Sequence, residues 1–245
     1  NFLAVAAHEL KTPLTLIDGY VSMLIDIILK QNQTSLLTYT NGILSGSKRL
    51  RNIIEDMIDI SLLENNLLHL NYQPFWLNRI LEYVLLEASA TSKEREIEIK
   101  VEEFDGLFSI NYGDSARLIQ LFKNLITNAI KFTPDGGRII IRGKKLTGFI
   151  DVQIVDNGIG IDPDDQNAIF EKFNRLGNIA LHSSSKTKFK GGGPGLGLPI
   201  ARGIAEAHGG SIWVESPGYS EIDFPGSTFH VLIPVLEKLP QRSDL

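Results

Sequence analysis

Eight apolar residues, Leu3, Ala7, Leu10, Leu14, Ile17, Val21, Leu24 and Ile28, follow one another at alternating spacings of four and three. That rhythm is a heptad seam, the stripe of a helix that packs against other helices. It predicts one helix over residues 1 to about 31. The polar stretch "KQNQTS" (30–35) reads as a turn. A second helical segment follows over roughly 36–68, with Ile43, Leu50, Ile54 and Met57 among its apolar positions and Gly42 and Gly46 weakening its first half. Such a hairpin cannot bury its seam alone. Pairing with a second copy would complete a four-helix bundle, so a homodimer is expected.

The pattern changes near "NYQPFWLN" (71–78). Beyond it, helical and alternating patterns take turns. A helix is expected over 77–91, a strand in "EIEIKVEEF" (96–104), and a helix capped by Asp114 that runs to about Phe132 and stops at "TPDGG". "RIIIRGKK" and "FIDVQIVD" read as paired strands, and a glycine- and serine-rich stretch over 174–197 interrupts order. A helix from about Leu198 to His208 ends at Gly209-Gly210, and "SIWVES" and "STFHVLIP" read as closing strands. The fold class expected is therefore a helical hairpin (1–70) followed by an α+β sandwich of sheet and helices (71–238), with a polar tail (239–245).

Composition narrows the function classes. The formal net charge of −5 argues against a nucleic-acid partner, which needs a basic surface. With no cysteine, disulfides and cysteine-ligated metals are excluded, and a reducing cytoplasmic setting is compatible. The best apolar run, Tyr20 to Leu29, is short and broken by Asp26, so no membrane span is expected in this stretch. No signal peptide is present, and Asn1 leads straight into a periodic pattern, which reads as a fragment of a longer protein that could itself be membrane-anchored.

Four segments carry chemistry. In "NLITNAIKFTPDGG" (124–137), Asn124, Asn128 and Lys131 share one helical face, opposite Leu118, Leu121, Phe122, Leu125 and Ala129. Two carboxamides and an ammonium can hold a hydrated Mg²⁺ and the phosphates attached to it; the bland alternative is a solvated face. In "VDNGIGI" (155–161), a strand delivers Asp156 to its end, where it can accept a hydrogen bond from an amine such as that of adenine, and Gly158 and Gly160 permit close backbone approach; a plain turn would read the same. In "GGGPGLGLPIARG" (191–203), glycines 193, 195 and 197 precede a helix, a junction suited to phosphate or to a flexible linker. It is neither a dinucleotide fingerprint nor a P-loop. In "GSTFHVLIP" (226–234), Thr228 could face a ligand or be an ordinary strand residue.

Together and in order, these segments resemble the N, G1, G2 and G3 boxes of the ATP-binding fold shared by sensor histidine kinases, gyrase-type topoisomerases, Hsp90-type chaperones and mismatch-repair ATPases, and "IFEKFNRL" (169–176) resembles the kinases' F box. The resemblance covers about 72–236 and implies a Bergerat-type sandwich. It implies that Asn128 ligates Mg²⁺ with Asn124 beside it, that Lys131 contacts phosphate, and that Phe132 lines the adenine pocket. Asp156 would bind the adenine amine, with Gly158 and Gly160 shaping the pocket. Gly193, Gly195 and Gly197, with Leu196 and Leu198, would form the phosphate-side lid, and Lys172 and Arg175 would approach the phosphates. Phe132 stands where tyrosine is common, and "FNRL" has leucine where phenylalanine is common.

The residue at 124 separates transfer from hydrolysis. The ATP-hydrolysing relatives carry a glutamate there that activates water; asparagine cannot take that proton. ATP would then wait for another acceptor, and "FLAVAAHELKTPLT" (2–15) supplies one. His8 lies just outside the seam, on a polar stripe with Thr12 and Thr15, and Glu9 beside it can take the imidazole's proton. "HELKTP" resembles the H box of sensor histidine kinases, with Lys11 in place of the more frequent arginine. The resemblance implies autophosphorylation of His8, transfer to an aspartate of a response regulator receiver domain, and phosphatase activity in which Thr12 orients a water. A zinc H-E-x-x-H reading fails because position 12 is threonine. The alternative is an ATP-hydrolysing chaperone- or topoisomerase-type enzyme of the same fold. Pro13 removes the helical partner of the Glu9 carbonyl, so the helix is expected to bend or loosen one turn below His8, which reads as a hinge between two states or as a plain structural kink. His69, His182, His208 and His230 are expected to be solvated.

Overall fold

The computed structural model describes residues 2–30 (side chains from Leu14 onward), 36–172 and 195–240. The chain divides into two compact units, Asn1–Leu67 and Leu68–Leu245.

The first unit is a hairpin of α1 (Phe2–Lys30) and α2 (Leu37–Glu64). The backbone of α1 is helical on both sides of Pro13. Of the seam residues with described side chains, Leu14, Val21 and Ile28 are buried, whereas Ile17 and Leu24 remain 43% and 47% exposed. Leu14 packs on Ile54 and Ile58 of α2. On α2 the positions Thr40, Ser47, Ile54 and Ser61 recur every seven residues and are buried. Ile43, Leu50 and Met57 recur every seven residues too, and are exposed. One heptad seam therefore closes the hairpin and a second faces outward. An ion pair between Arg51 and Asp18 ties the two helices together. No described helix is long and apolar enough to cross a membrane.

The second unit is a two-layer sandwich. Its five-stranded sheet has the order β2-β4-β5-β7-β6, made of β2 (Glu98–Val101), β4 (Arg138–Leu146), β5 (Phe149–Asp156), β6 (Ser211–Glu215) and β7 (Ser227–Pro234). Only β2 and β4 run parallel; the other neighbours are antiparallel. A separate antiparallel pair joins β1 (Gln73–Trp76) to β3 (Ile110–Gly113). Alternation gives the sheet one apolar face, with Ile139, Ile141, Val152, Ile154, Val214, Phe229 and Val231 all buried. The helices α3 (Leu77–Glu94), α4 (Ser115–Phe132) and α5 (Gly197–Ala207) pack with this layer. α4 contributes Leu118, Leu121, Phe122, Leu125, Ile126 and Ala129, each shielded from water and each worth about 1.5–3 kcal/mol for the larger side chains.

Two of the four histidines expected to be solvated are buried. The ring of His230 stacks on Trp213 at 4.5 Å and its Nδ1 lies 3.2 Å from Asp151. His208 accepts the Asp114 N–H at Nε2 (3.1 Å), so its proton sits on Nδ1 and is donated to the Ile204 carbonyl (2.8 Å). Burial holds this imidazole below its ordinary range. His69 is exposed, and His182 lies outside the described residues.

Candidate nucleotide site

The site is built from both ends of α4. At its start, Asp114 caps the helix by accepting the Arg117 N–H (3.1 Å) and also accepts the Asn71 N–H (3.0 Å). At its end, Thr133 precedes Pro134, which forbids another helical turn. Between these limits Asn124, Asn128 and Lys131 are half-buried, on the side of α4 away from the sheet core. Nδ2 of Asn124 is shielded from water and has no hydrogen-bond partner among the described residues. Gly197, the first residue of α5, lies against this amide: a β-carbon there would stand 3.5 Å from its Oδ1. Nζ of Lys131 sits 4.4 Å above the ring of Phe132.

The loop after β5 is stitched to the end of α4 by backbone. The Ile159 N–H donates to the Phe132 carbonyl (3.1 Å) and the Gly226 N–H to the Gly158 carbonyl (2.9 Å). Gly160 has φ +70° and passes so close to Gly218 that a β-carbon would meet its carbonyl at 2.0 Å, a position open only to glycine. Oγ of Ser216 accepts the Ile161 N–H (2.9 Å) and lies 2.7 Å from the Gly226 carbonyl, which closes the knot. Segments 128–132, 156–161 and 226–227, distant in sequence, thus share one place.

Asp156 lies in that place. Its carboxylate accepts the Gly158 N–H at 2.9 Å. Burial pushes its pKa up to about 7, against the opposing pull of the N–H groups of Gly158 and Ser227. A shielded acceptor at a strand end is suited to an amine donor and costly to leave ionised without one.

Not every expected residue is brought here. Asp156 pairs across the sheet with Ser227, and Thr228 pairs with Val155. The pleat therefore puts Ser227 on the face of Asp156 and Thr228 on the opposite face. Ser227 was legible in principle, because it alternates with the apolar Phe229 and Val231. Leu196 is 1% exposed and anchors the start of α5 in the core, whereas Gly195 (φ +74°) and Leu198 are half-buried. Lys172 is exposed. Arg175 and Gly193 lie outside the described residues, and so do the side chains of His8, Glu9 and Thr12 on α1.

Two family models match this chain. The "Histidine kinase-, DNA gyrase B-, and HSP90-like ATPase" model covers residues 113–237, and the "His Kinase A (phospho-acceptor) domain" model covers 1–66. The chain belongs to the sensor histidine kinases. The circadian input-output histidine kinase CikA of Synechococcus elongatus is 32% identical over 96% of this kinase chain, and the sensory/regulatory protein RpfC of Xanthomonas campestris is 29% identical over 100% of it. The kinase chain spans 30% and 32% of the lengths of these two relatives. Full-length ShkA in complex with AMPPNP shares the fold, with a TM-score of 0.76 at 24% identity, over 98% of this chain and 47% of that one. The histidine kinase ThkA in complex with the response regulator TrrA aligns with a TM-score of 0.58 at 25% identity, over 95% of this chain and 60% of that one.

A divalent cation fits the donors of this face. Asn124 and Asn128 offer neutral oxygens, and among the described residues no three His, Asp or Glu side chains gather to hold a metal. Mg²⁺ keeps several waters and takes oxygens from substrate phosphates, so it needs few protein ligands.

Proposed function

We propose that the second unit binds Mg·ATP and that the γ-phosphate passes to His8 and then to an aspartate of a response regulator. The observation that carries this reading is the Ile159–Phe132 hydrogen bond, which sets the Asp156 loop against the end of the helix bearing Asn124, Asn128 and Lys131. Asp156 accepts the adenine amine, and Phe132, Gly158 and Gly160 wall the base. Lys131 contacts phosphate, with Lys172 and Arg175 approaching it. The glycines at 193, 195 and 197 and Leu198 close over the phosphates. Asn128, with Asn124 beside it, holds the cation, which when bound neutralises phosphate charge.

The unprotonated ring nitrogen of His8 attacks the γ-phosphorus. A P–N bond forms, the bond to the β-phosphate oxygen breaks, and ADP leaves with the electron pair. Glu9 takes the proton from the other ring nitrogen. Loose phosphoryl transfer needs positioning and cations more than covalent help, which suits a face of amides and ammonium. Asn124 gives water no base. Thr12, one turn beyond His8, orients a water when the regulator is dephosphorylated.

The outward seam of Ile17, Leu24, Ile43, Leu50 and Met57 supports a homodimer, in which a second copy completes a four-helix bundle. The net charge of −5 argues against a nucleic-acid partner, and a cytoplasmic location suits both ATP and a receiver-domain partner.

Incubation with γ-labelled ATP and Mg²⁺ tests the reading. The expected label is acid-labile and alkali-stable, absent from His8→Gln, and lost from Asn128→Ala. Full labelling of His8→Gln would refute the assignment.

A further inference from the structure

We infer that Arg95 is a positioning residue for the nucleotide-contacting end of α4. The inference rests on the reading that this face holds the nucleotide. Arg95 follows α3, and its side chain is 6% exposed although it carries a full charge. Each of its three nitrogens donates to the chain around the end of α4. Nη1 donates to the Ile130 carbonyl, Nη2 to the Thr133 carbonyl at 2.7 Å, and Nε to Oδ1 of Asp135 at 2.7 Å. The Gly136 N–H returns the contact by donating to the Arg95 carbonyl (3.0 Å). Arg95 is held from behind as well: Glu96 takes a left-handed conformation (φ 53°), and the Ile97 N–H bonds the Ser92 carbonyl at 2.9 Å, which turns the chain sharply off α3.

The last carbonyls of a helix have no partner within it and carry the negative end of its dipole. The guanidinium satisfies one of them, that of Ile130, matches that charge, and also ties down the carbonyl of Thr133, the extended residue that caps the helix. Lys131 and Phe132 lie in this last turn and Asn128 directly precedes it, so whatever keeps the turn wound keeps Asn128, Lys131 and Phe132 in register. The Ile159 N–H pins the Phe132 carbonyl from the side of the Asp156 loop. Arg95 pins Ile130 and Thr133. The turn is clamped from both directions.

A buried charge is a poor way to gain stability, since a well-packed apolar residue often does as well. An apolar residue here would leave the Ile130 and Thr133 carbonyls unpaired, and a lysine would keep the charge without the planar fork that reaches both. The arrangement is suited to holding a helix end in place.

The test uses the whole 245-residue chain, titrated with trinitrophenyl-ATP, together with amide exchange at Lys131, Phe132 and Thr133. Arg95→Met is expected to bind about tenfold more weakly and to exchange faster at these amides. Arg95→Lys should fall between the two. Ile233→Ala, a cavity at the far end of β7, serves as the stability control: it should lower the melting temperature yet keep the parent's affinity. If Arg95→Met, or Arg95→Lys should the former not fold, matches the parent in affinity and exchange, the inference is overturned. It is overturned too if Ile233→Ala loses as much affinity. A parent chain that fails to bind the analogue sinks the functional reading itself.

Discussion

The backbone of Gly158 runs against the carbonyl of Phe132: a β-carbon on Gly158 would stand 2.4 Å from that oxygen and 2.8 Å from Oδ1 of Asp156. The close approach is what lets the loop after β5 bond the end of α4. Gly158→Ala must push these segments apart. The cost expected is about 1–3 kcal/mol of stability, with loss of most nucleotide affinity. Thermal melting and calorimetric titration check it; a variant that melts and binds like the parent would show that the loop has slack.

With Asp156 as the acceptor of the adenine amine, nucleotide affinity is expected to depend on pH. Its pKa of about 7 in the fold means that it is largely neutral below that value. An amine donor favours the ionised form, so binding releases a proton. Affinity should fall by up to about tenfold per pH unit below 7. Calorimetry at pH 6 in two buffers of different ionisation heat reads the released proton directly, and Asp156→Asn should abolish it. For stability the sign is opposite. The raised value means that the contribution of Asp156 is full below 3.8, its ordinary value, and is lost as pH rises through about 7.

His208 acts on the other limb. Burial lowers its pKa, so the fold holds it neutral while the unfolded chain takes up a proton near 6.5. Its contribution is full above 6.5 and is lost as pH falls through the lowered value. His208→Phe removes the acceptor of the Asp114 N–H and should cost about 1–3 kcal/mol, because that donor is buried. Melting temperatures across pH 4–8 for His208→Phe and Asp156→Asn should diverge from the parent with opposite slopes; parallel curves would contradict both assignments.

The outward seam predicts assembly. Leu50→Asp places a charge among Ile43 and Met57 without touching the buried positions of α2. Sedimentation should show a dimeric parent and a monomeric variant that keeps its affinity for ATP analogues. A parent that sediments as a monomer at tens of micromolar would contradict the four-helix bundle.

Much of the fold is written in local pattern. The heptad spacing names α1, the apolar positions Ile43, Leu50, Ile54 and Met57 name α2, Asp114 and Pro134 bracket α4, and the alternation of "FIDVQIVD" names β5. These signals depend on neighbours a few residues away, which is why they survive in a single sequence. β1 (QPFW) and β3 (INYG) escaped because no alternation extends beyond their four residues, whereas the equally short β2 lies within the longer alternating run "EIEIKV". The ordered boxes likewise carry the family resemblance, which the family model over residues 113–237 bears out.

Tertiary structure decided the rest. Both halves of the seam on α1 are equally apolar, yet among the described side chains Leu14, Val21 and Ile28 close the hairpin, while Ile17 and Leu24 stay open. Strand register, which spans more than seventy residues between β5 and β7, put Ser227 beside Asp156 and Thr228 on the other face. His208, which resembles any histidine near a helix end, became the buried acceptor of a backbone N–H from ninety-four positions away. Arg95 carried no motif at all. Period and capping are properties of a short stretch of chain; burial, register and the partner of a buried charge are properties of what the rest of the chain brings to it.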